Sequence, residues 1–268
     1  MKKFLSLYVD ELNRSKTYFL GIVAFMLVSE GASLFYKIFR DLSLWREGKE
    51  VVPSNIMIYM VSGMNNAIHG GIFLALAIFS FLIWQRDWQG KGRMIYRLMT
   101  LPGSRLSVGL AKWATVMTFI FALLGIQLAL IAGCNVLLAG VLPKEIYTYL
   151  PYFYYFSQQA GILNLFLPFN GYDFLVSYLL GSSLVLVLFN AVVLYYCERV
   201  NGLLRLVVKE SLFFIGIVAF IFNYWRGMFV YLHPLELEIA YLSALGSVIL
   251  IGINLLLLNY QLNRRLYC

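Results

Sequence analysis

Gln85-Arg86-Asp87-Trp88-Gln89-Gly90-Lys91-Gly92-Arg93-Met94-Ile95-Tyr96-Arg97-Leu98-Met99-Thr100-Leu101-Pro102-Gly103-Ser104-Arg105 lies between two long apolar stretches, and its basic run closes at Ala111-Lys112. Six of the 21 Lys and Arg residues fall in positions 85–112, against one acid, Asp87. Gly90 and Gly92 on one side and Pro102-Gly103 on the other bound a segment, 91–101, with room for about three helical turns. Met94, Ile95, Leu98 and Met99 can form an apolar ridge on it. Ser104 is placed to cap the next helix, which starts at Arg105. A plain basic turn on anionic headgroups would need less order than this. The arrangement suits a short lever that docks on another protein.

Working outward, the chain is 268 residues, 61% hydrophobic and only 13% charged. A soluble domain carries about twice that charge, which excludes an ordinary globular fold. The expected class is an all-α membrane protein, organised as a single transmembrane domain over 1–268. Six apolar stretches can cross, at ~20 residues each: 17–39, 61–84, 110–142, 174–196, 211–225 and 240–260. The third is long for one crossing, and the fifth is short. The net charge of +8 does not call for nucleic acid, because cytoplasmic loops of membrane proteins are enriched in Lys and Arg. With both termini inside, fifteen basic residues fall on the inner side. Six fall on the outer: Lys37, Arg40, Arg46, Lys49, Lys144 and Arg226.

The N-terminal 1–16 segment is not a cleavable signal, because Asp10, Glu11 and Arg14 interrupt any apolar core. Phe4, Leu5, Tyr8, Val9 and Leu12 fall on one helical face and Lys3, Ser6, Asp10 and Asn13 on the other, the pattern of a helix lying in the membrane interface. The 143–173 segment holds Tyr147, Tyr149, Tyr152, Phe153, Tyr154, Tyr155 and Phe156, so an aromatic outer segment in the headgroup zone is expected there. Cys134, Cys197 and Cys268 have no metal or disulfide spacing.

Ionisable and polar residues inside spans are costly in hydrocarbon and are functional candidates. Glu30 sits midway along the first span with Ser33 near it, and Asn65, Asn66 and His69 open the second. Together they are candidates for a substrate pathway; helix–helix hydrogen bonding is the structural alternative. Gln127, Asn135, Asn190, Asn223 and Asn254 read as contacts between helices. Ser182, with His69 or His233, superficially suggests an intramembrane protease, but the flanking glycine pattern is missing and no zinc motif is present.

The basic and acidic pair Arg86-Asp87, then Gly92, Leu98, Leu101-Pro102-Gly103-Ser104-Arg105 and Gly109-Leu110-Ala111-Lys112 resemble the permease subunits of ABC-2 type transporters. The interface helix and six spans fit the same family over essentially the whole chain. Two departures stand out: Arg86-Asp87 where the family commonly has Glu-Arg, and a short connection between the last two spans. The resemblance implies an ABC-2 type exporter fold with 91–101 as the coupling helix. Arg93, Met94, Ile95, Arg97, Leu98, Met99, Leu101, Pro102 and Arg105 would then contact a nucleotide-binding ATPase. The chain lacks Gly-x-x-x-x-Gly-Lys-Ser/Thr, so ATP and Mg would be held by that separate subunit, in two copies, with a second permease chain completing the transporter. The implied setting is a bacterial cell membrane and the implied substrate hydrophobic or amphipathic. An ion-coupled carrier using Glu30 is the rival reading.

Overall fold

The computed structural model describes residues 2–50, 52–60, 63–89, 94–100, 104–151, 168, 171–198, 203–227 and 236–264. Among them the chain is almost entirely helical. In order the helices are α1 (Lys2–Arg46), α2 (Ile56–Met60), α3 (Gly63–Gln89), α4 (Met94–Thr100), α5 (Leu106–Val141), α6 (Gly171–Glu198), α7 (Leu203–Gly227) and α8 (Glu236–Arg264). Among the described residues the only extended pairing is a single parallel β-bridge, Ser54 with Tyr147.

Five helices are long and apolar enough to cross a membrane: α1, α3, α5, α6 and α8. The protein is therefore a multi-pass membrane protein. Large apolar side chains such as Val28, Phe35, Leu74, Leu137 and Leu256 stand exposed on these helices, as a lipid solvent allows and water does not. The expected fifth crossing, 211–225, falls within α7, a 25-residue helix whose apolar residues are gathered on one side more strongly than in the other long helices.

One expectation changes form. The interface helix and first span, expected as separate elements, are one unbroken helix, α1, of 45 residues. At 1.5 Å per residue that is about 67 Å, roughly twice the hydrocarbon thickness. The long third stretch is likewise one helix, α5, of 36 residues, with no break at Gly125 or Gly133.

The chain divides into two compact units, each assembled from separate pieces of sequence. Unit 1 comprises Met1–Ser15, Ala77–Met117 and Leu175–Cys268; unit 2 comprises Lys16–Leu76 and Thr118–Phe174. In unit 1, Trp84 packs edge-on against Phe189 at 5.7 Å and Trp88 stacks on Tyr196 at 4.8 Å, joining α3 to α6. The Asn190 amide of α6 donates to the Asn254 side chain of α8 at 2.9 Å. Gly109 on α5 faces α8 so closely that a Cβ there would come within 2.7 Å of Leu258.

Unit 2 has an apolar core of Leu34, Ile56, Met57, Tyr59, Met60, Ile131, Leu142, Tyr147 and Leu150. Asn55 starts α2 as an N-cap, its Oδ1 accepting from the N–H groups of Met57 and Ile58 at 3.0 Å, the arrangement that satisfies free donors at a helix start. Ser54 N donates to the Ile146 carbonyl, and Thr148 N to that of Ser54, latching two loops together. Tyr147 is 2% exposed, stacks on Tyr59 at 6.1 Å and donates its hydroxyl to Asn135 Oδ1 at 2.9 Å. A ring with a satisfied hydroxyl is as content inside a protein as at an interface, and aromatic composition alone does not separate the two. Tyr149 is exposed. The remaining aromatics of that segment, Tyr152 to Phe156, lie outside the described residues.

Asn135 serves three groups at once. It accepts from Tyr147 and from Leu150 N, and donates to the Leu150 carbonyl at 2.9 Å. Replacing it with leucine keeps the volume and strands those buried groups, each worth about 1–3 kcal/mol. Asn135→Leu is expected to lower the thermal unfolding temperature of the purified protein clearly more than Asn263→Leu, whose amide is exposed. Equal effects would show that the latch contributes nothing.

Candidate functional site

Unit 1 gathers five charged side chains at the start of α1, the end of α3 and the start of α5. The α1 face that meets the rest of the unit is Leu7, Glu11 and Ser15, spaced four apart as helical geometry requires. Leu5 and Val9, part of the apolar face read from the sequence, are instead exposed and free to meet lipid. Glu11 is 3% exposed, Asp87 1% and Lys112 0%.

Lys112 is the centre. Its Nζ donates to Glu11 Oε1 at 2.7 Å, to Asp87 Oδ2 at 2.5 Å and to the Ile83 carbonyl at 2.9 Å. An ammonium has three protons to donate, and all three find acceptors. The Trp84 ring lies 5.3 Å from the same nitrogen, within cation–π range. Arg86 donates to Glu11 Oε2 at 2.5 Å, and Arg14 reaches Asp87 at 3.8 Å while pairing with Asp10 one turn earlier at 2.6 Å. Three cations and two buried acids thus share one knot, with the arginines at its wetter edge. Isolated burial of any one of them costs several kcal/mol; mutual pairing with full hydrogen bonding offsets that.

The knot frames the 85–112 loop. Within it the described residues hold α4, seven residues from Met94 to Thr100. Ile95 and Leu98 are buried, 0% and 5% exposed. These two members of the expected docking ridge are thus covered within the chain itself, as apolar groups beside a hydrophobic bundle will be. The outward residues are Arg97 and Thr100. The side chains of Met94 and Met99, and all of Arg93, Leu101 and Pro102, lie outside the described residues. Arg105 turns inward and donates to the Leu262 carbonyl of α8 at 3.2 Å, so it ties the loop to the bundle rather than offering itself to a partner. Ser104 acts through its carbonyl, which accepts from Ser107 N and Ser107 Oγ and from Lys3 Nζ at 3.4 Å; α5 begins at Leu106.

The second group of expected site residues lies in unit 2. Glu30 is fully buried, with His69 Nε2 3.3 Å from its Oε1 and the Gln127 amide donating to its Oε2 at 2.9 Å. Ser33 donates to Asn65 Oδ1, and Asn65 donates to the Tyr59 carbonyl at 3.2 Å. Four of the five expected pathway residues are therefore buried and engaged with one another or with neighbouring helices; Asn66 is half-buried. They form no open vestibule in this state. Nearby, Tyr59 donates to Asp41 Oδ2 at 2.9 Å; burial, and then that bond to a carboxylate, push the Tyr59 phenol above its usual range. Ser183 turns its hydroxyl back to the Leu180 carbonyl of its own helix.

Sequence reasoning named Arg86, Asp87 and Lys112 as parts of a motif and missed that Glu11 completes them. The available signal was that Glu11 and Lys112 each interrupt an apolar stretch near one end of a span. No known family model, curated protein or solved structure matches the chain.

Lys112→Met removes the shared cation and leaves two acids buried, a change worth about 3–5 kcal/mol. A marked loss of thermal stability is expected, partly restored by adding Asp87→Asn. A double variant no better than the single would refute the pairing as the source of the loss.

Proposed function

We propose that this chain is the membrane-spanning permease subunit of an ATP-driven ABC-2 type exporter, with six spans and both termini in the cytoplasm of a bacterial cell. It is not itself an enzyme: ATP and Mg belong to a separate ATPase subunit. Two permease chains and two such subunits make the working assembly, because six helices are few to enclose a pathway. The cargo is hydrophobic or amphipathic, peptide or lipid-like.

One observation carries the reading. Of the residues by which the sequence resembles the family, Arg86, Asp87 and Lys112 join with Glu11 in one knot that ties together the two ends of the segment holding α4. Lys112 and Arg86 hold the knot, Gly109 admits α8, and α4 is anchored by Ile95 and Leu98 with Arg97 outward. A lever must be stiff at its root and open on its working face. Buried ion pairs supply the stiffness, and an exposed arginine suits a carboxylate on a partner. ATP-driven closure of the ATPase pair would push α4 and move α3 and α5, which the knot joins to α1.

The test uses the chain co-expressed with its ATPase. Arg97→Glu is expected to leave the thermal unfolding temperature unchanged while cutting stimulated ATP hydrolysis and export at least tenfold. Unchanged stimulation would refute docking through α4. The rival reading, an ion-coupled carrier, draws on the buried Glu30–His69 pair. It requires the chain alone, in liposomes with an ion gradient, to accumulate cargo; the exporter reading requires that it does not.

A further inference from the structure

α7 and α8 both belong to unit 1, and the seam between them is not closed by side chains. A cavity of about 300 Å³ lies along it, about twice the size of the ~150 Å³ apolar cavity that takes benzene inside a soluble protein. Leu250 and Asn254 of α8, one helical turn apart, are the buried part of its lining. Phe213 and Ile217 of α7, also one turn apart, line it from the other helix and are half-buried. Leu212, Gly216, Ile253 and Leu257 complete it and are exposed, so the cavity opens outward between the two helices. Lining residues that recur every three or four positions form a stripe along each helix. The cavity is therefore a slot running along α8 from Leu250 to Leu257, about 10 Å at 1.5 Å per residue.

Its depth, polarity and size select the occupant. Ile253 and Asn254 stand at the middle of Tyr241–Asn263, an apolar run long enough to cross a membrane, so the solvent at the mouth is hydrocarbon. Asn254 is the one polar side chain in the lining, and both ends of its amide are engaged. Its Nδ2 donates to the Leu250 carbonyl at 2.8 Å, and its Oδ1 accepts from the Asn190 amide at 2.9 Å. A peptide group or a sugar placed there would lose its bonds to water and gain no designed partner, which is costly. A helix, with a diameter of about 10–12 Å, needs more than twice this volume over the same length. An alkyl chain is thin and apolar, and it is the material that surrounds the slot.

We propose that the α7–α8 slot is a binding site for one acyl chain of a membrane lipid, held apart from the freely exchanging bilayer. A second cavity, of about 40 Å³, shares Leu250 and continues the seam toward Tyr224, Ser243 and Ser247. There the Tyr224 hydroxyl donates to the Leu242 carbonyl, which ties α7 to α8 beyond the slot. Gly216 keeps the mouth wide on the α7 side. A Cβ there would meet no atom within 4 Å, so a larger side chain can grow into the opening without a clash, and replacing a helical glycine favours the helix. The inference rests on the membrane-spanning character of the chain and is independent of the exporter reading.

The test is photolabelling of the full chain in phosphatidylcholine nanodiscs, one chain per disc, with a fraction of the lipid carrying a diazirine at mid-chain. Label mapped by mass spectrometry to Phe213, Ile217 and Leu250 should exceed, by roughly fivefold, that on Leu137, which is exposed on α5 and meets ordinary lipid. Gly216→Leu should bring the slot down to the Leu137 level with the unfolding temperature unchanged or raised. Equal labelling of slot and Leu137 in the wild type, or labelling that a folded Gly216→Leu variant does not reduce, overturns the proposal. If that variant does not fold, the wild-type ratio decides alone. Slot label that is present with one chain per disc and lost with two would assign the seam to a second copy of the chain, and also overturns it.

Discussion

Burying charge is the constraint that organises this protein. In hydrocarbon or in a dry protein interior an unpaired ion costs far more than a typical helix contact returns, so each buried ionisable group dictates who stands beside it. Lys112 requires two acids and a carbonyl; it thereby fixes the ends of α1, α3 and α5 to one another. Glu30 requires a proton or a cation and takes His69 and Gln127. Asp41 takes a phenol and an arginine. Apolar packing supplies most of the burial in each unit but is non-directional. The polar clusters choose the register.

The apolar character and length of the spans were legible from hydropathy because the bilayer imposes a length and a composition on them. Turn chemistry at Gly90–Gly92 and Pro102-Gly103 located the short helix between α3 and α5. What could not be read was which face of an apolar helix meets protein. Lipid and protein interior are equally greasy, so periodicity loses its contrast: Leu5 and Val9, on the apolar face read as meeting the membrane, are exposed, while Leu7 and Glu11 are buried. The face that packs is marked by Glu11, a buried acid that accepts from Lys112 and Arg86.

The candidate site was half legible. The family resemblance drew attention to Arg86, Asp87 and Lys112, and Glu30 and His69 drew notice as ionisable groups in apolar runs. Their actual partners are remote in sequence: Lys112 and Glu11 are separated by 101 positions, Glu30 and Gln127 by 97. No local pattern encodes such pairs. Isolated polar residues near the same depth in different spans are the one clue, and they specify a set of candidates rather than a match.

The long separations have a consequence for biosynthesis. Glu11, Glu30 and the Ser54 loop leave the ribosome early, while Lys112, Gln127 and the 146–148 loop that completes them are translated roughly a hundred residues later, several seconds at ordinary elongation rates. For that interval the acids of the first helix must be kept protonated, hydrated or sheltered by the insertion machinery. The first helix therefore enters the bilayer as a provisional guest, and only the arrival of α5 makes its residence permanent.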